Sequence, residues 1–313
     1  MAKADHYEQV HDRLEMARRW RTEEGYDSKW HRLIDLYRGK TYFGVRDPAD
    51  GYDRVSVNLA FSTVNVIEPS IAVNHPKITV MANQEQDQNR AIFVESVVNY
   101  LWRHHDYQKP FRRAVKDFLV LGHGWLKVGW RFVEVERQMS DDQRRYRLDT
   151  AQAEVQDFAY ENPQLAGDLP TPQDLIDATP STMVEVVEDQ AFVERISPFD
   201  MMVDPEATCL EDAKWVAQRI IRPLEEVKKD KRFKSTARRN LTADAGLKVR
   251  WDSDYEREQY AEATERVTLY EYYDMQNGTI SVCSHDGQTF LLDPTPMPYD
   301  FGMPFVMLRN YDV

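Results

Sequence analysis

The sequence predicts an α+β fold, with helices in its first part and antiparallel strands in its later part. Up to about residue 121, segment after segment carries apolar residues every three or four positions, the spacing of one helix face. Beyond it the spacing changes to alternation, as in WLKVGWRFVEVE (125–136), the period of a strand with two unlike faces. Two turn signals, Gln276-Asn277-Gly278 and Asp286-Gly287, then sit between apolar runs in RVTLYEYYDMQNGTISVCSHDGQTFLLD. Such residues tolerate the positive φ of a tight hairpin, so this stretch reads as a strand meander.

The helices follow in order. In HYEQVHDRLEMARRWRTEEG, Val10, Leu14, Ala17 and Trp20 make one stripe. Ser28 is a candidate cap for a second helix with Trp30, Leu33, Ile34 and Tyr37 on one face, and Gly39 is its stop. A short strand is expected over 54–57. Asn58 can cap a long helix over 59–74 that is apolar on most sides, as in a helix packed inside an assembly. Pro69 should bend it, Pro76 should end it, and 77–81 should return as a strand. In NRAIFVESVVNYLWRHH, Ile92, Phe93, Val97, Tyr100 and Leu101 read as the inner side. KPFRRAVKDFLVLGHGW repeats the pattern with Phe111, Val115, Phe118 and Leu119, and Gly122 and Gly124 break it.

Residues 140–190 differ in texture, with twelve acids against three arginines and prolines at 163, 170, 172 and 180. That composition predicts a solvated insertion, helical at first and loop-like later, before a strand over 183–196. The expected organisation is therefore a mainly helical region (1–139), an acidic insertion (140–182) and a mixed region ending in the meander (183–313). A further strand is expected over 214–221, with Pro223 starting a short helix.

Composition narrows the classes of function. The chain has 313 residues, 42% hydrophobic and 30% charged, with a net charge of −13. A mean hydropathy of −0.65 describes a wet-surfaced globular protein. No apolar run approaches the roughly 18 residues a bilayer demands, and the first residues carry no signal peptide, so a soluble intracellular protein is expected. Cys209 and Cys283 are too few for a disulfide framework or a zinc cluster and read as reduced thiols. A large negative charge repels DNA, and a duplex reader would carry a basic stripe.

Catalytic, cofactor and metal motifs are not found. Arg38-Gly39-Lys40-Thr41 ends like a phosphate loop, but position 34 is Ile where a glycine is required. Gly122-His123-Gly124 has no serine for a nucleophile elbow. His104 and His105, adjacent on a helix, point about 100° apart and cannot easily share one ion. Asp200 and Asp204 could hold Mg²⁺, the alternative reading being a Mg-dependent DNA-processing enzyme, though Asp204 before Pro205 suits a turn. One basic concentration remains: Lys228, Lys229, Lys231, Arg232, Lys234, Arg238 and Arg239, offset by Asp230. It is read first as a surface pairing with acids of a neighbouring subunit, and second as a contact to the DNA backbone. Trp20, Trp30, Trp102 and Trp215 are candidates for subunit contact, with core burial the other reading of each.

The order of these elements resembles the N-terminal part of portal (head–tail connector) proteins of tailed double-stranded-DNA bacteriophages. The segments that carry the resemblance are the helix of Trp30 to Tyr37, VNLAFSTVNVIEPSIAVNHPKITV (57–80), AIFVESVVNYLWRHHDYQKPFRRAVKDFLVLGHGWLKVGW (91–130) and ISPFDMMVDPEATCLEDAKWVAQRIIRPLEEVKKD (196–230). The resemblance implies a portal-like wing region and a structural, non-enzymatic subunit with no cofactor. It also implies a homo-oligomeric ring, commonly of twelve, at one capsid vertex. Double-stranded DNA passes through such a ring during packaging and ejection. Its implied partners are the large subunit of the ATP-driven terminase, capsid and scaffolding proteins, and tail or adaptor proteins, with no membrane. Its place is the virion, and the host cytoplasm during assembly. Portal proteins continue past a strand like 304–313 into channel and crown helices, which are expected to be absent here. An acidic wall suits a conduit, because a channel that gripped phosphates would hold DNA rather than pass it.

Overall fold

The computed structural model describes residues 3–39, 57–72, 76–161, 164, 169–178, 181–244 and 265–309. Lys40, Thr41, Pro163, Pro180 and all of the expected strand at 54–57 except Val57 lie outside the described residues. Helices α1 (Lys3–Glu23), α2 (Tyr26–Tyr37), α3 (Leu59–Ile71), α4 (Gln88–His104) and α5 (Gln108–Leu121) precede strand β1 (His123–Gln138). Then come α6 (Asp141–Glu161), α7 (Pro172–Ala178), β2 (Thr182–Ile196), β3 (Met201–Val203) and β4 (Trp215–Pro223). Two short helices, α8 (Leu224–Lys229) and α9 (Ser235–Arg239), lead to β5 (Arg266–Asp274), β6 (Thr279–Ser284), β7 (Leu292–Pro296) and β8 (Phe305–Arg309). Helices first and antiparallel strands later is the expected α+β order.

The chain forms two compact units, Met1–Gly129 with Phe192–Val313, and Trp130–Ala191. Five strands make one sheet in the order β3-β4-β5-β6-β7, and three make another, β2-β1-β8. In the larger unit, β4 pairs antiparallel with β5 from Trp215↔Asp274 to Pro223↔Arg266. Successive side chains of a strand point to opposite faces, and here both faces are apolar. Trp215 and Ala217 face α1, where Val10, Leu14 and Ala17 of the stripe read from the sequence are buried together with Tyr7, while Trp20 is exposed. Val216 and Tyr273 face the other way, toward Trp125, Ile196 and Phe305 of the three-stranded sheet. The same side of β5 carries Val267 and Leu269 to Leu224 and Val227 of α8.

Local chemistry explains the boundaries. Asn58 caps α3, its side chain accepting from the Phe61 amide at 2.9 Å, as expected. Ser28 does not cap α2. That helix begins at Tyr26 behind Gly25 at φ 71°, and the Ser28 hydroxyl donates back to the Gly25 carbonyl. Glycine reaches the left-handed region without strain, so the turn forms earlier than the serine signal indicated. Gly122, at φ 88°, ends α5. A Cβ at Gly124 would lie 2.1 Å from the Ala114 carbonyl oxygen, so β1 can approach the α5 backbone only through a glycine.

Two further expectations fail. Residues 77–81 are not a strand. The Ile78 amide donates to Asn99 and the Val80 amide to Glu95, while the Asn99 side chain donates to the Ile78 carbonyl. Side chains of α4 satisfy this backbone, so no ladder forms. The expected inner side of α4 is its outer side: Ile92, Phe93, Val97 and Tyr100 are exposed, and of the helix only Ala91 is buried.

In the smaller unit, Ser140 and Gln143 exchange hydrogen bonds at the start of α6, and Thr171 and Asp174 do so before α7. These reciprocal pairs satisfy amides that a helix start leaves open. Its strand segments are tied by Trp130 to Asp189 at 2.6 Å, and by Arg137 to Glu185 at 3.0 Å.

Asp117 of α5 is fully buried, and the Arg195 guanidinium clamps it through Nε and Nη2, the latter at 2.7 Å. Removing one partner strands a buried charge. Asp117→Ala is expected to lower the unfolding free energy by about 3–5 kcal/mol in urea titration, and Asp117→Ala with Arg195→Met to recover a large part of it.

Candidate functional site

The basic cluster grows from the end of β4. Pro223, with its fixed φ, leads into α8, whose first turn carries Glu225 and Glu226 and whose last carries Lys228 and Lys229. That order matches the helix dipole. Leu224 and Val227 pin the helix to the sheet beside Phe233, Leu241 and Leu291. Asp230 follows, and α9 then brings Arg238 and Arg239 alongside.

Asp230 is the hub. Its carboxylate accepts from Arg222 Nη1 at 3.0 Å and from Arg232 Nε at 3.0 Å and Nη2 at 2.7 Å. Its backbone carbonyl accepts from Arg238 at 2.7 Å. Arg232, above all, with Arg222, holds the Asp230 carboxyl well below the usual carboxylate range, against the opposing effect of burial. Lys234 pairs with Asp293, and Lys229 with Glu225 at 3.6 Å, an exposed contact of the kind that contributes little. Lys228, Lys231 and Arg239 make no ion pair among the described residues. The cluster read from sequence is therefore one region in space, but Arg232, Lys234 and Arg238 are engaged inside the chain.

Sequence reading missed Arg222 and Asp293. Asp293 lies 59 residues from Lys234, and no local spacing connects them. Arg222 stands on β4 eight residues before Asp230. Its position next to the Pro223 helix start was the one available signal.

Of the four tryptophans proposed for subunit contact, Trp30 and Trp215 are buried within the chain, a correction to any subunit contact through them. Trp215 stacks on Tyr272 at 5.4 Å, and Trp30 meets Phe199 edge-on at 5.2 Å. Trp102 is half-buried against Tyr107 and Phe111, and Trp20 is exposed beside Tyr26.

The acids of the enzymatic alternative have structural partners. Asp204 is buried and accepts from the amides of Glu206 and Lys214. Asp200 accepts from Arg219 at 2.6 Å, and Arg219 with Arg21 also donates to the Phe199 carbonyl, which fixes the SPFD turn. Among the described residues no group of three or more His, Cys, Asp or Glu could hold a metal ion. No described helix is long and apolar enough to cross a membrane.

Because the folded Asp230 carboxyl is depressed, its ion pairs are fully stabilising above the unfolded carboxyl value of about 3.9 and are lost as pH falls toward the folded one. The stability difference between the wild type and Asp230→Asn is expected to be flat above pH 5 and to shrink below about pH 4, read by urea denaturation at each pH.

The comparisons with known proteins extend beyond this cluster. No curated protein matches the chain. A family model described as phage SU10 portal protein matches residues 7–280, which take in most of α1, all of α2 to α9 and β1 to β5, and the basic cluster. The family is structural rather than enzymatic, and its place is the portal vertex of the phage capsid. The fold order, helices before antiparallel strands, agrees with it. The chain belongs to the phage SU10 portal protein family.

Proposed function

We propose that this chain is a subunit of a closed portal ring of about twelve copies. The ring would be the conduit for double-stranded DNA during packaging and ejection, and a docking platform for terminase and tail proteins. The observation that carries this reading is the extent of the family match, through residues 7–280. In this reading the ring assembles in the host cytoplasm with capsid and scaffolding proteins and ends in the virion.

The charge distribution supports a passage rather than a clamp. The chain is at −13, and Arg222, Arg232 and Lys234 of its basic region are held by its own acids. Fewer cations meeting phosphate means fewer counterions released and weaker binding. Lys228, Lys231 and Arg239, which have no ion pair among the described residues, are assigned to the acids of a neighbouring subunit, the role preferred here over contact with the DNA backbone.

Electron microscopy of the purified protein at high concentration is expected to give rings with an axial hole, without retention of duplex DNA in a gel shift at physiological salt. Single compact particles at every concentration would contradict the reading. The triple variant Lys228→Glu, Lys231→Glu, Arg239→Glu is expected to dissociate at lower salt than the wild type in native mass spectrometry. An unchanged ring mass across salt would remove the pairing role.

A further inference from the structure

Helices α3 and α4 each present an apolar face that nothing among the described residues covers. On α4, Ile92 is 65% exposed, Phe93 69% and Tyr100 59%, with Val97 at 37%. At 100° per residue these four side chains lie within about 140° of arc, one continuous stripe. The Ser96 hydroxyl in the middle of it donates to the Ile92 carbonyl, so it asks nothing of a partner. Glu95, the one charged residue between Ala91 and Trp102, turns away to the Val80 amide.

The second face is different in shape. On α3, Leu59 is 71% exposed and Val66 72%, with Ile67 beside them. Between them stand short side chains. Ser62 and Ser70 donate to the carbonyls of Asn58 and Val66, so their hydroxyls are satisfied within the helix. Glu68, the one charged residue of α3, is ion-paired with Arg112 at 3.2 Å. This face carries aliphatic side chains interspersed with the short hydroxyl residues Ser62, Thr63 and Ser70, where that of α4 is studded with aromatic rings.

We propose that the α4 stripe of one copy packs on the α3 face of the next copy, forming the helical core of the contact between neighbouring subunits. The inference rests on the ring reading above and names the surface that closes it. A closed ring needs two different patches on each subunit, because its contacts are head-to-tail, and here are two unlike patches, one with rings and one without. A standard interface covers roughly 800 Å² on each partner, of which about 56–65%, or roughly 450–520 Å², is apolar. The exposed side chains of α4 provide on the order of 400 Å² and those of α3 on the order of 300 Å², so the two faces form the core of such a contact and other surface must complete it. A monomer's largest apolar patch is about 300–600 Å² and is often functional, and this chain carries two.

The test uses the full chain in two arms. Phe93→Glu with Val97→Glu places charges on exposed positions, so circular dichroism and the melting temperature should stay as in the wild type. The concentration at which assemblies dissociate, read by mass photometry, should rise at least tenfold. In a Cys209→Ser background, Val66→Cys protein mixed with Val97→Cys protein and treated with a short bismaleimide should give at least fivefold more covalent dimer than either protein alone. Wild-type rings with unchanged assembly of the double variant, or mixed cross-linking equal to the controls, would overturn the inference and leave the ring reading standing. A wild type that never assembles would remove the ring reading and this inference with it. Loss of binding to anionic lipid vesicles in the double variant, with assembly unchanged, would overturn it in favour of a lipid surface.

Discussion

Strand β4 sends apolar side chains to both sides of its sheet, and that constraint organises most of the larger unit. A strand of this kind is stable only when each face is covered. The first helix of the chain covers one face with Tyr7, Val10 and Leu14. The other face is covered by Trp125 of β1 and Phe305 of β8, both distant in sequence, and by the α8 helix that follows β4 directly. Lys127 lies among these layers, its ammonium 2.5 Å from Glu271 and within 6 Å of the Tyr273 and Phe305 rings. Burial of this kind raises the Tyr272 hydroxyl and the Cys283 thiol to about 12, so both stay protonated and Cys283 is a packing group rather than a nucleophile.

The helices between α1 and β1 meet a different situation. Trp30, Ile34 and Tyr37 of α2, Val64 of α3 and Val120 and Leu121 of α5 share one small core. That core takes one side of α3 and leaves the rest of its apolar surface exposed. Helix α4 contributes even less to the interior. A chain of a structural, assembling family has a physical use for such surface, because contact with another copy can cover what the described residues of its own fold do not. The basic region around Asp230 makes the complementary point, since several of its cations are neutralised inside the chain.

Much of this was legible in the sequence, and the failures have a common origin. The 3.6-residue stripe of α1, the Asn58 cap and the Gln276-Asn277-Gly278 turn are local signals. In that turn the Asp274 carboxylate accepts from both the Gln276 and Asn277 amides, with Gly278 at φ 62°. The stripe of Phe93, Val97 and Tyr100 was equally visible, but periodicity says only that a face is apolar. It does not say whether the cover comes from the same chain. The segment 77–81 failed for a related reason: its β-rich composition was real, yet Asn99 and Glu95, twenty-one and fifteen residues away, took its backbone groups. The link between Lys234 and Asp293 and the clamp between Asp117 and Arg195 are likewise products of the fold.

The central claim is that the outward apolar faces of the early helices are buried between copies. Amide hydrogen exchange compared between assembled and dissociated protein tests it most directly, since α4 has little packing to protect it in an isolated subunit. The amides of Ala91–Trp102 are expected to slow at least tenfold on assembly while those of β4 and β5 stay unchanged. Equal exchange of α4 in the two states would contradict the account.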